Sequence, residues 1–151
     1  MSAGRGALLA GGVLCLGVAA LHVGIFAAGP VAYRYFGAGE RMAALAVSGS
    51  PVPALLTLAM TTVFAVMGFY ALAGAGRFRR LPLPRTGLMT AGAIFTLRGL
   101  LLLLQIRWLL IAPGSLPPRM LVFSAVSLVI GLLYLAGTVA EWRALSARRG
   151  G

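Results

Sequence analysis

Apolar positions gather into four long runs along the chain. The first extends from Ala7 to Ala28 with His22 as its one polar side chain, and the second from Val52 to Gly76 without a charge. The third runs from Gly87 to Ile111 and carries Arg98, Gln105 and Arg107; the fourth runs from Met120 to Ala140, again without a charge. A helix crosses a hydrocarbon core about 30 Å thick with about 20 apolar residues, and each run has that length. The strict two-residue alternation of a membrane barrel is absent. The pattern predicts an all-α, polytopic membrane protein: one transmembrane domain over residues 1–151, built as a four-transmembrane-helix bundle with a long outer loop between helices 1 and 2.

Breaker residues divide the chain in the same places. Gly29-Pro30 closes the first helix, and Ser50-Pro51 opens the second with a capping residue followed by an early proline. Pro82 and Pro84, set among Arg77, Arg79, Arg80 and Arg85, make a short basic turn before the third helix, and Pro113 to Pro118 makes the last connection. In the long loop, Tyr33-Arg34-Tyr35-Phe36 is an aromatic and basic cluster of the headgroup-level kind. Gly37-Ala38-Gly39 then breaks the chain, and Glu40 to Val47 reads as two helical turns, apolar enough to lie in the interface or fold back on the bundle.

Composition sharpens this picture. Hydrophobic residues make up 60% of the chain and charged residues 10%, against about 25% charged in a soluble domain. Thirteen basic residues, all arginine, face two acidic ones, for a net charge of +11. Such an excess can serve nucleic acid, but these arginines flank apolar runs, where they set membrane orientation and touch anionic lipid. Arg5, Arg77, Arg79, Arg80, Arg85, Arg143, Arg148 and Arg149 fall on one side of a four-span protein; Arg34, Arg41, Arg107 and Arg119 fall on the other. Eight against four places both termini in the cytoplasm of a bacterial inner membrane and is too uneven for a dual-topology protein. Arg77, Arg79, Arg80 and Arg85 are the residues expected to meet anionic headgroups, and no nucleic-acid partner is expected.

Two processing signals do not fit the first apolar run. Arg5 precedes an apolar run ending near Ala27-Ala28, as in a cleaved signal peptide, but the run exceeds the usual 7 to 15 or so residues of a signal core and Phe26 is too bulky for the cleavage site. Leu14 before Cys15 does not fit a lipoprotein signal, and the single cysteine excludes an internal disulfide, a CxxC pair and a thiolate cluster. Cys15 reads as a small buried hydrophobe.

Polar side chains at membrane depth are the candidates for function, because each costs free energy there. Arg98, near the middle of its run, costs about 2.5 to 3.5 kcal/mol on the insertion scale, which the following leucines largely offset. Gly87, Ala91, Arg98 and Gln105 fall within about 20° of one line on a helix, so Arg98 is expected to face protein. Ser124, Ser127, Gly131, Tyr134, Thr138 and Glu141 form a stripe on the fourth helix, the pattern of a helix–helix interface. Thr57, Thr61 and Gly68 share a face of the second helix; Cys15, Ala19 and His22 share one on the first, beside a small-residue row of Ala20, Gly24 and Ala28. The candidate polar cluster is therefore His22, Glu40, Arg98, Gln105, Ser124, Ser127 and Tyr134, with Glu40 expected to fold down toward Arg98.

The same inventory excludes several activities. Disulfide chemistry lacks a second cysteine, a di-haem site lacks histidines, and zinc or di-iron chemistry lacks a ligand cluster. Proton-coupled cation export lacks an intramembrane acid. No catalytic residue, metal or cofactor is assigned.

In its layout, with Leu21-His22-Val23 late in helix one and the outer-loop run Tyr35-Phe36-Gly37-Ala38-Gly39-Glu40, the chain resembles small uncharacterised bacterial inner-membrane proteins of four helices. The resemblance implies the fold class and no functional residue. The expected function is that of an integral inner-membrane protein without enzymatic activity, acting through lipid, ligand or partner contacts and able to form a homo-oligomer. The alternatives are a small transporter or channel, for an anion for example, with Arg98 as a fixed charge, and a membrane-embedded enzyme using His22 and Glu40.

Overall fold

The computed structural model describes residues 2–79 and 81–147; Arg80, Arg148 and Arg149, named above for orientation and lipid contact, lie outside them. Seven helices follow in order: α1 (Ala3–Ala28), α2 (Pro30–Tyr35), α3 (Glu40–Val47), α4 (Val52–Gly74), α5 (Pro84–Ile111), α6 (Pro118–Ala140) and α7 (Trp142–Ala147). There is no strand among the described residues. Helices α1, α4, α5 and α6 are long and apolar enough to cross a membrane, which is compatible with a multi-pass transmembrane helical bundle.

The long helices contain the first, third and fourth apolar runs, and α4 stops at Gly74, two residues short of the Gly76 end of the second run; the ends are set by backbone chemistry rather than hydropathy. Helix α5 starts at Pro84, before the apolar run at Gly87, because proline at the first helical position gives up no needed N–H. Its N-cap, Leu83, takes a left-handed conformation at φ 48°. Helix α6 likewise opens on Pro118. The outer loop is more helical than its sequence suggested: Pro30 initiates the six-residue α2, and α3 covers Glu40–Val47 as expected.

Surface exposure shows which solvent these helices suit. Leu97, Leu103, Leu104 and Leu110 of α5 are 63% to 79% exposed, an arrangement that water penalises and lipid does not. In α4 only 17% of the most apolar window is buried inside the protein.

The chain divides into two compact units, residues 1–14 with 67–151, and residues 15–66; α1 and α4 contribute residues to both. In the first unit, α5 and α6 pack along each other through small residues. A Cβ on Gly99 would stand 2.5 Å from Leu128 Cα, and one on Gly131 would stand 2.5 Å from the Thr96 nitrogen, so a side chain at either site would force the helices apart. Leu8, Leu88, Ile130, Tyr134, Thr138 and Leu145 are fully or almost fully buried in this unit. The Tyr134 hydroxyl donates to the Met67 carbonyl at 2.9 Å, tying α6 to α4. Glu141 is nearly buried and takes Arg5 as ion-pair partner at 3.5 Å, together with the Ser2 hydroxyl.

In the second unit, Ile25, Ala32, Tyr33 and Ala43 form a core closed by Phe36, Met42 and Ala46. Tyr33, expected at headgroup level, is only 4% exposed. The α2 helix ends with the Ala38 N–H donating to the Tyr33 carbonyl at 3.0 Å around Gly37 at φ 87°. That six-residue closure requires a left-handed residue, which glycine supplies without steric cost. Cys15 is fully buried, its thiol donating to the Phe64 carbonyl at 3.3 Å, as a small buried residue does.

Candidate functional site

The seven candidate residues are divided between the two units. His22 and Glu40 belong to the unit of residues 15–66; Arg98, Gln105, Ser124, Ser127 and Tyr134 belong to the other.

Glu40 opens α3 and accepts from Arg34 twice at Nε (2.9 and 3.1 Å) and once at Nη2 (2.9 Å). These hydrogen bonds, and then the Arg34 charge, hold the Glu40 carboxyl below its ordinary value and raise Arg34. The expected approach of Glu40 to Arg98 is thus replaced by a local pair across the Gly37–Gly39 break, six residues apart in sequence. The Arg34 guanidinium, carried on α2 six residues beyond the end of α1, is a ready partner because closing so short a loop costs little entropy. Glu40 is not among the residues that line the cavity at His22.

Arg98 was expected to face protein, and it is instead exposed. The buried face of α5 runs through Leu88, Ala91, Gly92, Phe95 and Gly99, because Gly92 and Gly99 allow α6 to approach there. Arg98 sits at the flank and reaches back, its Nη1 donating to the fully buried Ser124 Oγ at 2.9 Å. Ser127 is half-buried and donates within its own helix to the Phe123 carbonyl at 2.9 Å. Gln105 is half-buried, and its Oε1 has no hydrogen-bond partner among the described residues. Tyr134 lies in the core of its unit, its ring centroid 6.1 Å from that of Phe95.

His22 is different because it lines a cavity of about 320 Å³, within the usual range of roughly 300 to 1,000 Å³ for ligand pockets. Its Nδ1–H donates to the Val18 carbonyl at 2.8 Å, which in the neutral ring leaves Nε2 as an acceptor. The Phe64 ring, 4.8 Å away and tilted by 53°, holds the imidazole plane. Tyr33 and Thr57 line the same cavity. The Thr57 hydroxyl donates to the Pro53 carbonyl at 2.8 Å and lies 3.5 Å from the Tyr33 oxygen. That second distance is long for a hydrogen bond between oxygens, so the Tyr33 proton is available to a ligand. The remaining wall is apolar, supplied by Ile25, Phe36, Met42, Leu56 and Met60, with the Gly37–Ala38 turn at one side.

One acceptor and one donor in an apolar, methionine-lined cavity suit recognition of a neutral molecule; methionine adapts to irregular shapes. No acidic residue is among those lining the cavity, so the imidazole has no carboxylate to orient it as a base. Among the described residues no three His, Cys, Asp or Glu side chains gather to hold a metal ion. Of the cavity's polar residues, sequence reasoning singled out His22 and placed Thr57 on a shared face. It missed Tyr33 as a site residue, because nothing in the spacing shows that α2 turns this aromatic inward. Comparison with protein-family models, with characterised proteins and with solved structures returns no match for this chain.

Proposed function

We propose that the chain is a non-enzymatic integral protein of the bacterial inner membrane that binds a neutral, membrane-soluble molecule with a hydroxyl or phenol head in the His22 cavity. The observation that carries this reading is the cavity itself, where His22 offers an acceptor and Tyr33 a donor inside an apolar wall. A phenol would donate to His22 Nε2 and accept from Tyr33, and its hydrocarbon part would lie against Met42 and Met60. Both termini lie in the cytoplasm on this reading, supported by the excess of arginines at the two ends and the Arg77–Arg85 turn. Arg77, Arg79, Arg80 and Arg85 meet anionic lipid there, and a second copy of the chain is a further candidate partner.

The test is equilibrium binding of 1-naphthol to the detergent-solubilised protein. Saturable binding is expected in the wild type, with at least tenfold weaker binding in Leu56→Trp, which adds bulk to the cavity wall, and weaker binding in His22→Phe, which keeps an aromatic ring and loses the acceptor. Equal binding in all three proteins contradicts the reading. Orientation is checked separately with a C-terminal reporter active only in the periplasm, which is expected to stay silent.

A further inference from the structure

A second concavity, in the unit of residues 1–14 and 67–151, combines a fixed positive charge, unused hydroxyls and an apolar wall. It has a volume of about 400 Å³ and lies at the start of α5 against α7, lined by Arg85, Thr86, Met89, Thr90, Trp142 and Leu145. The Arg85 guanidinium carbon stands 4.5 Å from the centre of the Trp142 ring, and its Nη2 donates to the Ser146 hydroxyl. Ser146 in turn donates to the Trp142 carbonyl at 2.8 Å, so α7 holds the guanidinium in place. A guanidinium has five N–H donors, and Arg85 has no carboxylate partner among the described residues, where the ion pairs are Arg5–Glu141 and Arg34–Glu40. Thr86 and Thr90 are exposed, stand one turn apart on α5 and make no side-chain hydrogen bond among the described residues.

We infer that this groove binds a phosphate group, with Arg85 as the charged contact, the Thr86 and Thr90 hydroxyls as further donors, and Met89 against an acyl chain. An oriented guanidinium matches the geometry of phosphate oxygens. Tryptophan, 44% exposed here at position 142, is a side chain favoured at the membrane–water boundary. The shared chemistry is a phosphate ester or the free ion, and the two sources are separable. The inference rests on reading the chain as a membrane protein and narrows the lipid contact of the basic turn to one groove.

The experiment uses the full chain in neutral detergent with Trp108→Phe, which leaves Trp142 as the one tryptophan. Its fluorescence is followed while dioctanoyl phosphatidylglycerol, or separately inorganic phosphate, is added. A saturable response is expected, with half-saturation raised at least tenfold by Arg85→Gln and less than twofold by Arg79→Gln, an equal charge change outside the groove lining. Thr86→Val with Thr90→Val keeps the guanidinium and its Ser146 contact, and is expected to weaken binding two- to fivefold if Arg85→Gln perturbs folding. Saturation by lipid alone identifies a headgroup site, and saturation by inorganic phosphate as well identifies a site open to the free ion; both support the inference. No saturable response to either probe, or equal losses in Arg79→Gln and Arg85→Gln, overturns it. None of these variants touches the His22 cavity, so failure here is distinguishable from failure of 1-naphthol binding.

Discussion

Individual polar side chains in this protein find local partners. Arg98 takes Ser124, and Glu40 takes Arg34, so the two residues should be energetically independent. Hydrogen bonds between membrane helices average about 0.6 kcal/mol, reaching roughly 1.7. Ser124→Ala is therefore expected to destabilise the protein by about 1 kcal/mol in reversible unfolding from mixed micelles, and to cost almost nothing in an Arg98→Leu background. Glu40→Gln and Arg98→Leu should be additive, which the same cycle checks. The Glu40 carboxyl, lowered by hydrogen bonds from Arg34, should titrate below free glutamate by carbon NMR, and Arg34→Gln should return it to the ordinary range. The sign of the linkage follows: a depressed carboxylate stabilises above its unfolded value, and that contribution disappears as pH falls through the lowered one. Because the pair is exposed, its share of stability is small and shrinks with salt. The sequence made Arg98 and Glu40 conspicuous as rare charges and grouped Ser124 with Arg98 through the stripe on the fourth helix, but gave no sign that Arg34 would take Glu40, because that pairing depends on the turn at Gly37 to Gly39.

At the scale of elements, the spans were readable because hydrophobic length is a strong constraint, and the Glu40–Val47 turns were readable from the glycines before them. The α2 helix was not, because six residues after a proline carry too little periodicity. Of the α5 face read from the sequence, Ala91 is buried and Gly87 lies against Tyr70, but Arg98 is exposed, because close approach of α6 is decided by Gly92 and Gly99. Gly99→Ala places a methyl group 2.5 Å from the Leu128 backbone, and overpacking of this kind costs about 1 to 3 kcal/mol. The small-residue row of α1 behaves differently: Ala20, Gly24 and Ala28 are exposed, and a Cβ at Gly24 meets nothing within 4 Å. Gly24→Ala should leave stability unchanged or slightly raised, since alanine is the better helix former. Midpoints of unfolding for the two variants check both expectations.

For the molecule as a whole, composition and apolar runs give the membrane class, and the arginine distribution gives an orientation to test. The cavity at His22 lies beyond that reading, because it depends on α2 and α3 bringing Tyr33 and Met42 beside the α1 histidine. The chain contains one histidine, so nitrogen NMR of histidine-labelled protein in lipid bilayers reports on the proposed site alone. At a pH where the ring is neutral, Nδ1 is expected to carry the proton and Nε2 to be the unprotonated nitrogen. Saturating 1-naphthol should then shift the Nε2 resonance by several ppm while Nδ1 stays near its place, and Leu56→Trp should abolish the shift. An unprotonated Nδ1, or an Nε2 resonance unmoved by the phenol, would contradict the assignment of His22 as the acceptor of a ligand cavity.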